Sequence, residues 1–215
     1  MYFTNPKAAE VFAEYLARHE QERALTRDLP RGQFGERRDE FLLPVGADVG
    51  NFLRALAIGR KPERILELGT SYGYSTLFLA DAAKACGAKL VTVDVDAAKQ
   101  DYARRMLERA GLAEAVEFRC GDALDIVAAD ESEFGLVLLD IWKNLYLPCF
   151  EAVYPKLAEE GLIVSDNMIM PESAREAVRA YREAVRAKVD LQTVLLPLGS
   201  GIELTIKWSE GNPKL

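Results

Sequence analysis

The sequence predicts a doubly wound α/β fold, in which helices cover both faces of a mostly parallel sheet, and three observations support it. From residue 64 onward, short apolar runs alternate with longer amphipathic segments, which is the order of strand–helix–strand units. The first run, Arg64–Leu68, stops at Gly69 and Gly73 before a helical pattern begins, as in the opening turn of many ligand-binding sheets. Residues 136–139 are continuously apolar, which is typical of a parallel strand buried on both faces.

The apolar runs predict five parallel strands: Arg64–Leu68, Lys89–Val95, Val116–Cys120, Gly135–Ile141 and Gly161–Ser165. Five predicted helices fill or follow the intervals between them: Tyr74–Cys86, Ala97–Ala110, Ala123–Ala129, Leu145–Ala158 and Glu172–Lys188. The tail departs from this alternation. Two β-rich runs, Leu191–Leu196 and Ile202–Trp208, flank a turn at residues 197–201, which predicts a C-terminal antiparallel hairpin at the edge of the sheet.

The first 60 residues precede the alternating core and predict N-terminal helices. Residues 6–28 have the pattern of an amphipathic helix, residues 29–44 that of a loop and possible lid, and Asp48–Ala57 that of a short helix. His19, the single histidine, lies among charges on the first helix and is expected to be solvated. We therefore expect one domain over residues 1–215, with its core in residues 61–208, and chemistry that does not use histidine.

Composition excludes several classes of protein. Lys plus Arg number 27 against 34 Asp plus Glu, so the net charge of −7 argues against nucleic acid as a partner. Cys86, Cys120 and Cys149 are far apart, which argues against a disulfide framework or a zinc site. With neither a signal-peptide pattern nor an apolar run of membrane length, we expect a cytoplasmic protein without a membrane partner. Its oligomeric state is open, and a homodimer is one option.

The glycine turn indicates which cofactor the fold binds. Ser71 and Tyr72 stand inside the turn Gly69–Gly73, where a dinucleotide-binding turn needs a bare glycine for its pyrophosphate. Glu67, just before the turn, disfavours a phosphate and suits an ammonium group. Asp94 ends the second strand, where an acid accepts the ribose hydroxyls, although a plain loop aspartate is the alternative. A ligand with a ribose, an ammonium and a carboxylate but no phosphate is S-adenosylmethionine.

The third strand ends in Gly121, Asp122 and Ala123, which we expect to lie near the adenine of that cofactor. Asp122 has a second interpretation as the N-cap of the following helix. The two roles are compatible, so both stay open at this point.

Acidic and amide side chains end the fourth and fifth strands. Asp140, Asp166 and Asn167 should share the crevice at the carboxyl ends of the strands, where their hard oxygen donors suit Mg²⁺, Mn²⁺ or Ca²⁺. Each of them alone is also a common turn former. Lys143 follows Asp140 by three residues and could act as a general base beside a divalent cation, the alternative being a surface lysine at a helix start.

Four segments together resemble the motifs of the cation-dependent O-methyltransferases, in both the catechol and the caffeoyl-coenzyme A branches: 65–75, 93–94, 139–143 and 165–167. The resemblance covers about residues 41–208 and implies a class I methyltransferase with a Rossmann-like core. It implies that Asp140, Asp166 and Asn167 bind Mg²⁺ and that Lys143 is the catalytic base, with Asp140 also next to the cofactor. The resemblance further implies a set of cofactor contacts: Gly69, Ser75 and Val45 to the methionine part and Asp94 to the ribose.

The substrate slot resembles that of the catechol branch. Trp142 stands where that branch has tryptophan and the other branch usually has aspartate. Phe41 and Pro171 match its hydrophobic gatekeepers, and Met168 would complete the apolar walls. One feature departs from the pattern, because residues 193–196 lack the glutamate that contacts the second hydroxyl of the substrate in catechol enzymes. A similar role for Glu203 would require a different geometry.

The sequence therefore predicts an S-adenosylmethionine-dependent, divalent-metal-dependent O-methyltransferase acting on a catechol-type, vicinal dihydroxyphenyl small molecule. An NAD-dependent oxidoreductase is disfavoured because the glycine turn lacks its middle glycine. A non-catalytic small-molecule-binding protein on the same fold is disfavoured because Lys143 and the predicted metal ligands are all present.

Overall fold

The computed structural model describes residues 2–27 and 33–208, and its centre is one mixed sheet. The strands are β1 Arg64–Leu68, β2 Lys89–Asp94, β3 Val116–Cys120, β4 Phe134–Leu139, β5 Leu157–Ser165, β6 Leu191–Leu196 and β7 Ile202–Lys207. They lie in the order β3-β2-β1-β4-β5-β7-β6. Strands β1 to β5 are parallel, and β7 runs antiparallel between β5 and β6. The predicted fold class and the C-terminal hairpin are thus confirmed.

Helices cover both faces of this sheet. Their bounds are α1 Pro6–Arg27, α2 Gln33–Glu36, α3 Ala47–Arg60, α4 Tyr74–Cys86, α5 Ala97–Ala110, α6 Ala123–Ala129, α7 Tyr146–Val153 and α8 Arg175–Ala187. Within residues 2–27 and 33–208, none of them is long and apolar enough to cross a membrane.

Two hydrophobic cores lie on opposite faces of the sheet. Ile65 and Leu136 belong to the core that includes residues of α1, α3, α4 and α5, whereas Leu66 and Val137 belong to the core beneath α6, α7 and α8. Successive side chains of a strand point to opposite faces, so a strand covered on both faces must be apolar at every position. This explains the continuous apolar runs of the sequence.

Several predicted bounds were wrong in the region around β5. The helix expected over Leu145–Ala158 ends at Val153, and a 3₁₀ turn at Tyr154–Lys156 leads into β5. Pro155 cannot donate the hydrogen bond that would continue the helix. The strand begins at Leu157, which pairs with Phe134 of β4, four residues earlier than expected.

The other differences are smaller. Strand β2 ends at Asp94 instead of Val95, and β4 covers Phe134–Leu139 instead of Gly135–Ile141. Helix α8 is preceded by a 3₁₀ turn at Glu172–Ala174. The expected loop at residues 29–44 contains the short helix α2 and a 3₁₀ turn at Arg38–Glu40. Residues 29–32 of that loop, together with residue 28 at the end of the first predicted helix, lie outside the described residues.

The N-terminal helix α1 packs on its own domain. Val11, Phe12 and Tyr15 are buried against the first core. The Tyr15 hydroxyl donates a hydrogen bond of 2.6 Å to the carbonyl of Tyr72, inside the glycine turn. Helix α1 therefore supports the turn that opens the crevice.

Candidate active site

The carboxyl ends of three neighbouring strands bring the predicted site residues together. The backbone N–H of Asp140, after β4, donates to the Leu68 carbonyl of β1 at 3.0 Å, and that of Asp166, after β5, donates to the Leu139 carbonyl at 3.2 Å. Gly69 follows Leu68 directly. The glycine turn and both aspartates thus share one edge of the sheet, as expected for parallel strands.

The glycine turn approaches the end of β4 too closely for a side chain. A Cβ at Gly69, where φ is +107°, would lie 2.0 Å from the Asp140 carbonyl oxygen. At Gly73, where φ is +88°, it would lie 2.7 Å from the Ala103 Cβ. Both positions therefore require glycine, because their backbone is left-handed and because neighbouring atoms leave no room for a Cβ. Ser71, between them, also has a positive φ of 45°.

Asp94 fastens the turn to the end of β2. One carboxylate oxygen accepts a hydrogen bond of 2.7 Å from the backbone N–H of Ser71, and the other accepts one of 2.9 Å from that of Asp96. The acid predicted to bind the ribose thus lies beside the glycine turn. The sequence did not predict the hydrogen bond between Asp94 and Ser71. This bond joins the predicted ribose-binding acid to the glycine turn.

Glu67 is completely buried and is surrounded by hydroxyl groups. Its carboxylate accepts hydrogen bonds of 2.6 Å from Ser75, Thr76 and Thr92. Burial raises the pKa of Glu67 to about 7, against the opposing effect of the three hydroxyls, and the charge of Asp140 adds to the increase. Glu67 thus connects β1 to β2 and to the start of α4, and Ser75, predicted to contact the cofactor, directs its hydroxyl to Glu67.

The remaining predicted cofactor residues lie on other elements. Asp122 is the N-cap of α6, accepting from the backbone N–H groups of Leu124 at 2.8 Å and Asp125 at 3.3 Å, and Ala123 is the first residue of that helix. Val45 lies half-buried just before α3. The Tyr72 hydroxyl donates to the Glu40 carbonyl at 3.3 Å, which connects the turn to the segment before α3.

The predicted metal ligands include two carboxylates of different exposure. Asp166 is 2% exposed, and burial together with the charge of Asp140 raises its pKa to about 7. Burial also raises the pKa of Asp140, although 21% of its side chain is exposed. Asn167 follows in left-handed backbone with φ of 57°, and its N–H donates to the Asp166 carboxylate at 2.7 Å. Two carboxylates that oppose each other's ionisation form a site that a cation would stabilise.

The described part of the chain, residues 2–27 and 33–208, has no group of three or more His, Cys, Asp or Glu side chains placed to hold a metal ion. The predicted set supplies two carboxylates and one amide. Its donor chemistry fits a hard divalent cation whose remaining positions are filled by water or substrate oxygens, as is usual for Mg²⁺.

Lys143 lies between these carboxylates and a buried tyrosine. Its Nζ donates to the Tyr146 hydroxyl at 2.5 Å and to the Ile141 carbonyl at 3.1 Å, and lies 3.7 Å from Asp140 Oδ1. Burial lowers the pKa of Lys143, and the charges of Asp140 and Asp166 act in the opposite direction. The lysine is therefore no surface side chain, and its nitrogen is held at the edge where the strands end.

The predicted substrate residues differ in exposure. Trp142 is 47% exposed, and the Arg38 guanidinium lies 5.2 Å from the centre of its ring. Phe41 is buried and stacks on Phe34 at 5.7 Å. Met168 is buried in the second core, and Pro171 is half-buried. Trp142 is thus the open aromatic surface of the site, and Arg38, from the region predicted to be a loop, is a neighbour that the sequence did not indicate.

A model of the O-methyltransferase family matches residues 32–208. The chain belongs to the O-methyltransferase family. The resemblance found in its sequence motifs is thereby confirmed at the level of the family.

Individual members of the O-methyltransferase family are similar over most of the chain. A catechol O-methyltransferase of Niastella koreensis is 36% identical over 132 residues, which cover 59% of this chain and 59% of that protein. Caffeoyl-CoA O-methyltransferase 5 of Nicotiana tabacum is 29% identical over 184 residues, 76% of each chain. The crystal structure of the O-methyltransferase TomG from Streptomyces achromogenes, involved in tomaymycin synthesis and in complex with SAM, is 26% identical with a TM-score of 0.75, covering 93% of this chain and 90% of that one. The chain spans 59% of the length of the catechol relative.

Glu203 has no access to a substrate hydroxyl. It is fully buried in β7, where the Thr193 hydroxyl donates to its Oε1 at 2.9 Å. Arg182 Nε lies 2.7 Å from its other oxygen, but the two are misaligned for a hydrogen bond. Glu203 is thus the buried partner of Arg182 on α8 in an ion pair.

Proposed function

We propose that the chain transfers a methyl group from S-adenosylmethionine to one hydroxyl oxygen of a catechol-type, vicinal dihydroxyphenyl small molecule, with the help of a divalent metal ion. The observation that carries this proposal is the position of Lys143. Its amine is partly buried, has a lowered pKa, and lies 3.7 Å from Asp140 at the edge of the sheet that also carries the glycine turn. A phenol bound there would have a base within reach.

The glycine turn and the end of β2 support S-adenosylmethionine as the methyl donor. The turn from Gly69 to Gly73 has left-handed backbone, and Asp94 accepts a hydrogen bond from Ser71 of that turn. From there Asp94 would accept hydroxyl groups of a ribose. The SAM complex of TomG, which shares this fold, supports the same assignment. Asp122 and Ala123, at the start of α6, would lie beside the adenine.

Asp140, Asp166 and Asn167 would hold the metal, which is Mg²⁺ or, with the same donors, Mn²⁺ or Ca²⁺. When bound, such an ion acts as a Lewis acid that lowers the pKa of a coordinated phenolic hydroxyl. The residues of the chain provide the oxygen donors at two adjacent strand ends, and Asp166 is the more buried of the two carboxylates.

Lys143 accepts the proton of the reacting hydroxyl. The resulting ammonium is stabilised by the Ile141 carbonyl, the Tyr146 hydroxyl and the nearby charge of Asp140. The phenolate oxygen then forms a bond to the methyl carbon as the bond from that carbon to sulfur breaks. This step depends mainly on alignment of the two bound molecules, and Trp142 with Met168 and Pro171 would orient the ring.

The test is a methylation assay on dihydroxyphenyl compounds with Mg²⁺ and then with EDTA. We expect transfer of the methyl group with Mg²⁺, its loss with EDTA and its recovery when Mg²⁺ is added in excess. Activity that survives EDTA would contradict the metal requirement. Tight binding of S-adenosylmethionine without turnover of any catechol would instead indicate another substrate class or a non-catalytic binding protein.

A further inference from the structure

Four arginines form a row along one side of α8. They are Arg175, Arg179, Arg182 and Arg186. Their spacings of four, three and four residues keep them within about 60° of the helix circumference and spread them over about 16 Å. A charged helix face is ordinarily explained by contact with solvent. This arginine row also lines a cavity.

The cavity has a volume of about 310 Å³, and the arginine row forms one of its sides. The lining also includes Asn167, Met168 and Pro171, which are predicted metal-binding and substrate-binding residues after β5. One acid, Glu183, also contributes to the lining. Three predicted site residues and four arginines therefore line the same cavity.

Two contacts hold α8 in a fixed position relative to the candidate metal ligands. The hydroxyls of Tyr181 and Ser165 are 2.6 Å apart, and Ser165 directly precedes Asp166. Arg182 pairs with Glu203, which lies opposite Ser165 in the register of β7 and β5. The arginine row is thus positioned by the same strand end that carries Asp166 and Asn167.

The ion pairs of Arg175 and Arg179 leave both of these arginines available to a ligand. Arg175 lies 3.2 Å from Glu172 and Arg179 lies 4.0 Å from Glu183, with more than 70% of each side chain exposed. Such exposed pairs contribute little to stability, so exchanging them for a ligand anion costs little. Arg182 is 23% exposed and neutralises the buried Glu203, so its role is to keep the row in place.

We propose that the arginine row binds an anionic group of the substrate, so that the substrate is a vicinal dihydroxyphenyl compound that carries a carboxylate. This inference rests on the proposed function and specifies its substrate. The hydroxyls would lie toward Asp166 and Asn167, the ring along Met168 and Pro171, and the carboxylate at the guanidinium groups, which bind carboxylates in a bidentate manner. The chain as a whole has a net charge of −7, so this positive wall is a local feature of an acidic protein.

The test compares a dihydroxyphenylpropanoate with its propanamide, which has the same shape and no charge. In the wild type we expect a KM at least tenfold lower for the acid than for the amide. The double variant Arg179→Gln/Arg186→Gln should raise the KM of the acid about tenfold, and leave kcat and the KM of the amide within twofold. Arg105→Gln, which removes an exposed arginine from α5, is the matched control and should change neither.

Arg182 needs a paired replacement, because removing it alone leaves Glu203 buried without its partner. The variant Arg182→Gln/Glu203→Gln keeps the net charge and should fold as judged by circular dichroism, with the KM of the acid raised about threefold because the row loses the contact that holds it in place, and the KM of the amide unchanged. Equal KM values for acid and amide in the wild type would overturn the proposal. So would an effect of the Arg179/Arg186 variant that is the same for both compounds.

Binding measurements separate this proposal from the proposed reaction. The protein saturated with S-adenosylhomocysteine is titrated with the acid and the amide by calorimetry. Binding of the acid alone, lost in the Arg179/Arg186 variant, supports the arginine row even if neither compound is methylated, in which case the catechol reaction is wrong. No binding of the acid overturns the row as a substrate site. If the corresponding phosphonate binds tenfold more tightly than the acid, the group that the arginine row recognises is a phosphate and not a carboxylate.

Discussion

At the scale of single residues, the position of Lys143 is set by neighbours that the sequence pattern does not single out. Tyr146 is fully buried, its hydroxyl donates to the Asp166 carbonyl at 3.1 Å, and it accepts the bond from Lys143. The lysine nitrogen is thus connected through one tyrosine to the backbone beside the second carboxylate. Its side chain is held in place before any ligand binds.

Replacing Lys143 by alanine tests the base. We expect kcat to fall by about 10²- to 10⁴-fold, the usual contribution of a general base. The affinity for S-adenosylhomocysteine should be unchanged, because Lys143 is not part of the glycine turn that would bind it. Steady-state kinetics and calorimetry measure the two quantities. Lys84→Ala, an exposed lysine of α4, is the control. An unimpaired Lys143→Ala variant would exclude the lysine as the base.

Glu67 leads to a prediction about stability and pH. Its folded-state pKa of about 7 lies above the ordinary value of 4.5, so between these values the folded chain keeps a proton that the unfolded chain has lost. The wild type should therefore lose stability relative to Glu67→Gln as pH rises from 4.5 to 7, by at most about 1.4 kcal/mol per pH unit, and the difference should level off above pH 7.

Urea unfolding of both proteins at several pH values between 5 and 8.5 measures this difference. Titrations shared by the two proteins, such as that of Asp166, largely cancel in the comparison. A difference in the free energy of unfolding that stays constant with pH would show that Glu67 is ionised throughout, stabilised by its three hydroxyl partners.

At the scale of elements, the start of α6 carries two roles that a pair of variants can separate. Asp122→Ala removes the side-chain acceptor for two backbone N–H groups and should lower the free energy of unfolding by about 1 kcal/mol. Asp122→Asn keeps a good N-cap and should stay within about 0.5 kcal/mol of the wild type. Chemical unfolding measures both.

The same two variants report on the cofactor. If the region of Asp122 lies against the adenine, the alanine variant should also bind S-adenosylhomocysteine more weakly at a temperature where it is fully folded. An alanine variant of unchanged stability would contradict the capping geometry. Unchanged affinity would restrict Asp122 to the structural role.

At the scale of the whole molecule, the N-terminal helix is part of the same packed unit as the sheet. The Phe12 ring lies 5.5 Å from that of Phe3, 5.8 Å from that of Tyr74 and 5.3 Å from that of Phe78, the last two on α4. These contacts join residues far apart in sequence across the first core. They support the expectation that the chain folds as one domain.

Phe12→Ala should therefore destabilise the entire chain by about 3–5 kcal/mol, as removal of a buried aromatic ring usually does. Far-UV circular dichroism and tryptophan fluorescence should lose their signals at the same urea concentration, because one cooperative unit unfolds. Leu16→Ala, on the exposed side of the same helix at 40% exposure, should change stability by no more than about 0.5 kcal/mol. Separate transitions for the two signals would mean that α1 unfolds independently.

The sequence by itself determined the order of strands and helices and the residues at the strand ends. Continuous apolar runs, the breaks at Gly69 and Gly73, and the polar residues that follow Leu139 and Ser165 are local patterns, and local patterns are set by side-chain period and backbone sterics. Because parallel strands end at one edge, the convergence of Asp140 and Asp166 followed from those patterns.

The tertiary structure alone decided which side chains surround those residues. The hydroxyls of Thr76 and Thr92 around Glu67, the pairing of Glu203 with Arg182, and the exposure of the arginine row to a cavity depend on contacts between elements far apart in the chain. Such contacts have no sequence period, since they are fixed by how helices and strands pack once both cores are filled. The chemistry of the strand ends could therefore be predicted, and the shape and charge of the space beside them could not.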